Sequence, residues 1–334
     1  MPSPAKPATL DFPNRLTLEL TNGCNLACVM CPSRLGSGRQ GKGYSKGMMG
    51  QALFERVVDE ASAHLPVALV PFFRGESLLH PKLVPLLAYA KRRGLGPIQL
   101  VSNGMLMSAR LAQELLDLGL DFVSFSLDTV RPAEYARIRR GGNFARVMAN
   151  VEGFIRRRNA GGYATEVQVS ATRTAANAGS IEEFVAHWRG RVERVRIYYE
   201  HSADGHPGSL DCPEVPKDMP RQPCHKPFCD LVAYWDGRVA ACNHDWQREP
   251  ALGDLNRQSV AGVWHGAAYE ALRQEHLAPE RLRDATCRHC DHWKMYYLER
   301  PFIGELYVLG ELYGRAEGPA AVQQAAEQPS AGTV

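Results

Sequence analysis

Thr21-Asn22-Gly23-Cys24-Asn25-Leu26-Ala27-Cys28-Val29-Met30-Cys31-Pro32 follows directly on an alternating apolar run at 15–20 that reads as a strand. The C-x3-C-x2-C loop sets three thiolates on a short arc, enough for three corners of a cubane. A [4Fe–4S] cluster is ordinarily held by four thiolates, so three leave one iron open to another ligand. An open iron activates what it binds, whereas a fully ligated cluster only carries electrons. A structural zinc ion is the rival reading, but zinc prefers four ligands, usually as two separated pairs. No His or Asp completes this arc nearby.

Around this loop, 334 residues leave room for one large domain and a smaller one, and a hydrophobic content of 45% supports a packed core. The 39 basic and 36 acidic residues give a net charge of +3, so nothing points to a nucleic acid or an anionic membrane as partner. The longest apolar runs fall far short of the ~18 residues of a spanning helix. Met1-Pro2-Ser3-Pro4-Ala5-Lys6-Pro7 has no apolar h-region, so a cytoplasmic protein is expected. In such a chain nine cysteines point to metal or redox chemistry rather than disulfides. Three lie between 24 and 31, none from 32 to 211, and six between 212 and 290, which suits two metal sites on two modules.

Strand patterns rich in Val, Ile and Phe occur at 15–20, 66–72, 98–101, 122–127, 166–171 and 195–199. Between them, segments such as 52–63, 81–93, 109–118 and 144–158 carry apolar residues at helical spacing. Pro81 suits a first helical turn, and Gly94 and Gly119 are set to end helices. Six strand–helix units in a row predict a parallel α/β barrel or sheet. The chemistry-bearing residues share one end of it. Cys24 to Cys31 follow the first strand, Arg74-Gly75-Glu76 the second and Ser102-Asn103-Gly104 the third; Ser126 and Asp128 end the fourth. Arg173 and Arg196 are expected at the ends of the fifth and sixth. Carboxyl ends of strands form the active-site face of βα barrels.

The stretch 201–223 reads as a linker, and a cysteine-bearing segment runs on to about 300. It opens with a hairpin, 231–235 and 238–241 around Asp236-Gly237, followed by a helix at 260–275. The expected organisation is a tail at 1–15, a barrel at 16–205, an auxiliary module at 206–300 and an extension at 301–334 whose end is disordered. There is no internal repeat.

The cysteine loop and the rim motifs resemble the radical S-adenosylmethionine (SAM) superfamily. That resemblance implies a partial (β/α)6 barrel in which the open iron binds the amino and carboxylate groups of SAM. The reduced cluster then cleaves the sulfonium to a 5′-deoxyadenosyl radical. Phe73-Arg74-Gly75-Glu76-Ser77 stands where the family has Gly-Gly-Glu-Pro. By resemblance Glu76 accepts hydrogen bonds from the SAM ammonium and Gly75 lets the backbone approach. Arg74 and Ser77 depart from the pattern and put the local loop shape in question. Ser102 and Asn103 match Thr-Asn-Gly, and Ser126 and Asp128 match Ser-x-Asp, small polar groups able to reach ribose hydroxyls; caps and turns are the alternative use of such residues. Met30 stands where the family sets a flat or soft residue against adenine, although Met is also ordinary packing. Arg173 and Arg196 are candidates to touch SAM carboxylate or substrate.

Cys224-His225-Lys226-Pro227-Phe228-Cys229 and Cys242 flank the hairpin, and Cys287-Arg288-His289-Cys290 begins 45 positions beyond Cys242. Leu252-Gly253-Asp254-Leu255 and Val263-Trp264-His265 lie between. This order resembles the SPASM/twitch extension and implies Cys224, Cys242, Cys287 and Cys290 as ligands of one auxiliary [4Fe–4S] cluster, with zinc as the rival. Four thiolates leave no open iron, so such a cluster exchanges electrons and points to oxidative radical chemistry. Cys212 and Cys229 are left over. Either they are buried small residues, or Cys229 (or Cys212) faces the active site and donates a hydrogen atom, as in epimerases of the family.

Three activities follow from the resemblance. A hydroxyl-bearing carbon of a sugar, cyclitol or aminoglycoside-like molecule, of the kind used in antibiotic biosynthesis, is oxidised; or the same carbon is epimerised; or a peptide is modified. Peptide-modifying relatives often carry an N-terminal leader-binding domain, and a barrel starting near residue 16 favours the small molecule. An electron donor such as flavodoxin or ferredoxin is the expected protein partner. A non-catalytic iron–sulfur or zinc-binding module is the competing class, and an open-iron loop sharing a rim with Glu76 argues against it.

Overall fold

The computed structural model describes residues 7–31, 46–200, 218–246 and 251–297, together with strand backbone at 305–308 and 311–312. The first part alternates strand and helix in the expected order: β1 (Arg15–Leu18), α1 (Gln51–Ala61), β2 (Ala68–Val70), α2 (Leu83–Arg92), β3 (Gln99–Ser102), α3 (Ala109–Asp117) and β4 (Phe122–Ser126). It continues with α4 (Pro132–Ile138), α5 (Phe144–Gly161), β5 (Glu166–Arg173), α6 (Ile181–Trp188) and β6 (Arg194–Tyr199). Local chemistry sets several boundaries. Ser108 Oγ accepts the amide of Leu111 to open α3, and Asn143 does the same for α5 through Arg146. Gly162, at φ 65, closes α5 in the left-handed conformation. Pro81 does not open α2, because the chain first makes a short 3-10 turn at Ser77–Leu79.

β1 to β6 are parallel in sequence order, with β2 joined to β3 through a bridge between Leu69 and Ile98. Alternation along the strands separates two environments. Leu16, Leu18, Val123, Phe125, Val167 and Val169 pack with Phe54, Leu86, Leu115, Phe154 and Phe184 of the surrounding helices. Thr17, Ser124, Gln168 and Ser170 occupy the alternate positions and face the other way, so the lumen is polar. Gln168 Nε2 donates to Ser124 Oγ at 2.8 Å within it.

The second part comprises α7 (Lys226–Cys229), β7 (Asp230–Ala233), β8 (Arg238–Ala240), β9 (Gly253–Asp254), α8 (Val260–Trp264), α9 (Ala267–Leu277) and α10 (Ala285–His289), followed by β10 (Glu305–Val308) and β11 (Glu311–Leu312). The hairpin forms as expected, Val232 opposite Ala240, with Gly237 at φ 87 in its turn. The helix expected at 260–275 is two helices. Gly266 is extended at φ −71, ψ 155, and a Cβ there would meet the carbonyl oxygens of Gly262 and Val263 at 2.9 and 3.1 Å.

Local patterning did not indicate that β7 adds in parallel to β1, Arg15 opposite Asp230 and Leu18 opposite Ala233. At the far edge, β10 runs antiparallel to β6. The module also docks on α1, whose Glu60 carboxylate accepts the amides of Val260 and Ala261 at 2.7 and 2.8 Å. Beneath the rim, Arg74 makes a bidentate pair with Glu19 at 2.6 and 2.8 Å, both side chains 0% exposed. The Arg74 guanidinium also lies 4.4 Å from the centroid of the Tyr234 ring. Among the described residues no helix is long and apolar enough to cross a membrane. Most of the expected linker, including Cys212, and the tail beyond 312 lie outside the described residues.

Candidate active site and auxiliary cysteine cavity

The cysteine loop leaves the carboxyl end of β1 and is held by backbone on two sides. Ala27 and Val29 donate to the carbonyls of Arg140 and Ile138, each at 2.9 Å, and Cys31 N–H donates to the carbonyl of Cys28 at 3.1 Å. On the other side Glu76 N–H donates to the Gly23 carbonyl at 2.8 Å. Gly75 is required there, because a Cβ would come within 2.2 Å of the Thr21 carbonyl oxygen and 2.5 Å of that of Gly23. The close approach admitted by Gly75 is therefore made by the cysteine loop itself.

Glu76 is 2% exposed. Its Oε1 accepts from Ser102 Oγ at 2.9 Å and Leu78 N at 3.1 Å, and Oε2 from Asn103 N at 2.7 Å. Burial still pushes this carboxyl above its ordinary range. Three donors thus do not replace the lost hydration, and Oε2 retains acceptor capacity. Asn103 extends the contact by donating from Nδ2 to Asn25 Oδ1 at 2.8 Å, 3.9 Å from Cys24 Sγ. Ser102 and Asn103 thus join Glu76 to the cysteine loop.

Asp128 stands apart from its expected use. At φ 69, its Oδ2 accepts from Arg139 Nε at 2.7 Å and its Oδ1 from Thr172 N at 2.8 Å. It supports a buried guanidinium rather than presenting both oxygens to a ribose. Arg139 acts on the Cys28 thiol: burial pushes that thiol up to about 11, and the guanidinium opposes the rise. Arg139 and Asn25 escaped sequence reasoning because each is a single residue whose position only the folded loop reveals. Ser126, half-buried, ends β4 beside Ser170, and Arg173 ends β5 beside Tyr199; both lie on the rim, with Met30 half-buried in the loop. Arg196 does not end its strand. It is the third residue of β6, opposite Ser170, and its guanidinium lies 4.6 Å from the Tyr198 ring centroid.

Cys224, Cys242, Cys287 and Cys290 line one cavity with Lys226, His244, His276 and His292. Three of them accept an amide from the residue two positions on: Cys224 from Lys226, Cys242 from His244 at 3.3 Å and Cys290 from His292 at 3.3 Å. Cys24 of the first set does likewise with Leu26 at 3.4 Å. Amides aimed at sulfur stabilise thiolate and tune a cluster bound to it. Burial pushes all four thiols up, Cys290 to about 12, and the charge of a bound metal would oppose that rise. Among the described residues no three His, Cys, Asp or Glu side chains converge on a point that could hold a single ion.

This cavity adjoins the amino end of β7, and β7 is parallel to β1, so the two cysteine sets lie at opposite ends of that strand pair. Cys229 belongs to the auxiliary end. Its backbone carbonyl accepts from Asn14 N at 3.0 Å, and its Sγ lies 3.3 Å from His225 O and 3.6 Å from Asp230 Oδ1. Cys229, expected to face the active site, stands directly before β7, at the auxiliary end of the lumen rather than on the rim of Glu76. The four residues of β7 separate it from that rim by roughly 13 Å at about 3.3 Å per residue. Burial, then the Asp230 carboxylate, pushes its thiol well above the ordinary range.

A family model described as the radical SAM superfamily matches residues 18–179, and one described as an iron–sulfur cluster-binding domain (SPASM) matches 224–291. The probable GTP 3′,8-cyclase of Methanococcus maripaludis is 33% identical over 135 residues, 40% of this chain and 43% of that protein. The chain therefore spans about two fifths of the length of the curated relatives it matches. Among solved structures, BtrN in complex with AdoMet and 2-DOIA superposes with TM-score 0.54 at 17% identity, over 83% of this chain and 92% of that one. SuiB of Streptococcus suis bound to precursor peptide SuiA superposes with TM-score 0.63 at 14% identity, over 88% of this chain and 75% of that one. Such identities establish the fold, and the two matched models establish the family. The chain belongs to the radical SAM superfamily and carries a SPASM-type domain, and its cofactors are S-adenosylmethionine, the [4Fe–4S] cluster that binds it and an auxiliary iron–sulfur cluster.

Proposed function

We propose that this chain oxidises a hydroxyl-bearing carbon of a sugar-, cyclitol- or aminoglycoside-like molecule to a ketone. Bound SAM would supply a 5′-deoxyadenosyl radical to take the carbon-bound hydrogen, the hydroxyl proton would leave to solvent, and the auxiliary cluster would accept the second electron. The observation that carries this reading is the pair of cysteine sets at opposite ends of the β1–β7 pair, beside a polar lumen.

Cys24, Cys28 and Cys31 hold the first cluster and leave one iron for SAM. Glu76 accepts the SAM ammonium through Oε2, which relieves the cost of a buried carboxylate. Ser126 is offered to the ribose, and Arg173 and Met30 lie within the same rim. Asp128 is a positioning residue that acts through Arg139. Cys224, Cys242, Cys287 and Cys290 hold the auxiliary cluster, and Arg196, Gln168 and Ser170 line the lumen where a polyhydroxylated substrate would bind. A further support is BtrN, matched over nearly its whole length and crystallised with AdoMet and the small molecule 2-DOIA. An electron donor of the flavodoxin or ferredoxin class would reduce the first cluster.

Epimerisation with Cys229 as donor is disfavoured by the thiol's place at the auxiliary end. Anaerobically reconstituted protein given SAM, a strong reductant and a panel of cyclitols and amino sugars tests the reading. The expected product is two hydrogens lighter than its substrate, with one 5′-deoxyadenosine formed per ketone. A product of unchanged mass carrying solvent deuterium would establish epimerisation instead, and turnover of peptides alone would overturn the substrate class.

A further inference from the structure

His276 lies in the last turn of α9 and is 2% exposed. Its Nδ1 accepts the backbone amide of Cys224 at 3.4 Å. A ring nitrogen that accepts carries no proton, so the imidazole is neutral and its hydrogen is on Nε2. Among the described residues Nε2 has no hydrogen-bond partner, and the ring lines the cavity bounded by Cys224, Cys242, Cys287 and Cys290. A buried N–H without an acceptor bears its full desolvation cost. The cavity's occupant is the acceptor that remains.

We propose that His276 is a positioning residue of the auxiliary cluster: its Nε2–H donates to a sulfur of that cluster and raises its reduction potential. A donor to sulfur stabilises the more negative, reduced cluster over the oxidised one. The role suits a cluster that takes up an electron, and it complements the amides of Lys226, His244 and His292, which reach three of the cysteine sulfurs. The inference rests on the ligand assignment of the proposed function. That assignment fails separately, if Cys24→Ala/Cys28→Ala/Cys31→Ala protein binds no cluster.

The test uses that triple variant, in which only the auxiliary cluster remains, with His276→Phe and His276→Gln added in turn. Electron paramagnetic resonance during a redox titration should show the midpoint moving negative in His276→Phe by about a tenfold change in the one-electron equilibrium, about 59 mV. His276→Gln, which keeps a donor, should recover at least part of the shift. If His276→Phe does not fold, pulsed resonance on the triple variant with isotopically labelled histidine decides. A weak nitrogen coupling that disappears in His276→Gln/Cys24→Ala/Cys28→Ala/Cys31→Ala protein is expected. An unchanged midpoint, the absence of any such coupling, or a strong coupling characteristic of direct ligation would overturn the proposal.

Discussion

Arg15 and Asp230, 215 positions apart, pair in parallel register and close an ion pair of 2.5 Å. The contact fastens the start of β1 to the strand that follows Cys224. The parallel register it belongs to sets the auxiliary cysteines at the amino end of β7. Arg15 is more than a third exposed, so Arg15→Ala should cost only about 1 kcal/mol of stability, and less at high salt. Denaturant melts at low and high ionic strength would measure this; a loss independent of salt would assign the effect to packing.

Gly75→Ala should disrupt the first cluster selectively. The added Cβ would meet two backbone carbonyls of the cysteine loop, at 2.2 and 2.5 Å, and neither is a flexible side-chain end. Iron analysis should find the auxiliary cluster retained and the SAM-binding cluster diminished. Full occupancy of both would show that the loop tolerates the shift.

Glu76→Gln keeps the shape of the side chain and removes its charge. A hydrogen bond to a charged group is worth about 1.5–3 kcal/mol, so SAM binding should weaken by about one to two decades with cluster content intact. Equilibrium binding to reconstituted protein measures it, and unchanged affinity would remove Glu76 from the SAM site.

The Asp128–Arg139 pair is buried on both sides. Arg139→Met leaves a buried carboxylate without its counter-ion and should cost about 3–5 kcal/mol. Adding Asp128→Asn should recover part of that loss, the signature of a coupled pair in a double-mutant cycle. Strict additivity would mean that the two side chains act independently.

Local signals carried the sequence reading to the six strands, the cysteine loop and the convergence of Glu76, Ser102 and Asn103. Alternation and cysteine spacing are short-range, and the rim follows from parallel topology. What stayed hidden depends on distant pairing. β7 adds to β1 across more than 200 residues, and that pairing sets Cys229 at the auxiliary end of the lumen. Arg196 missed the rim because its strand continues to Tyr199. Arg139 and His276 gave no signal, since an Arg after a short helix or a His in an amphipathic one is ordinary until its neighbours are known.

Cys229→Ala should retain both clusters and ketone formation, with no solvent deuterium entering the product carbon. Mass spectrometry of turnover in deuterated water reads this directly. Loss of carbon inversion in that variant would restore Cys229 as a hydrogen donor, and loss of the auxiliary cluster would make it a ligand.

The claim that two separate cysteine sets hold two clusters is tested most directly by iron and sulfide content per chain after anaerobic reconstitution. About eight irons are expected in the unaltered protein and about four in Cys24→Ala/Cys28→Ala/Cys31→Ala protein, which should also release no 5′-deoxyadenosine from SAM. A triple variant that keeps all its iron, or one that loses all of it while still folded, would contradict the account.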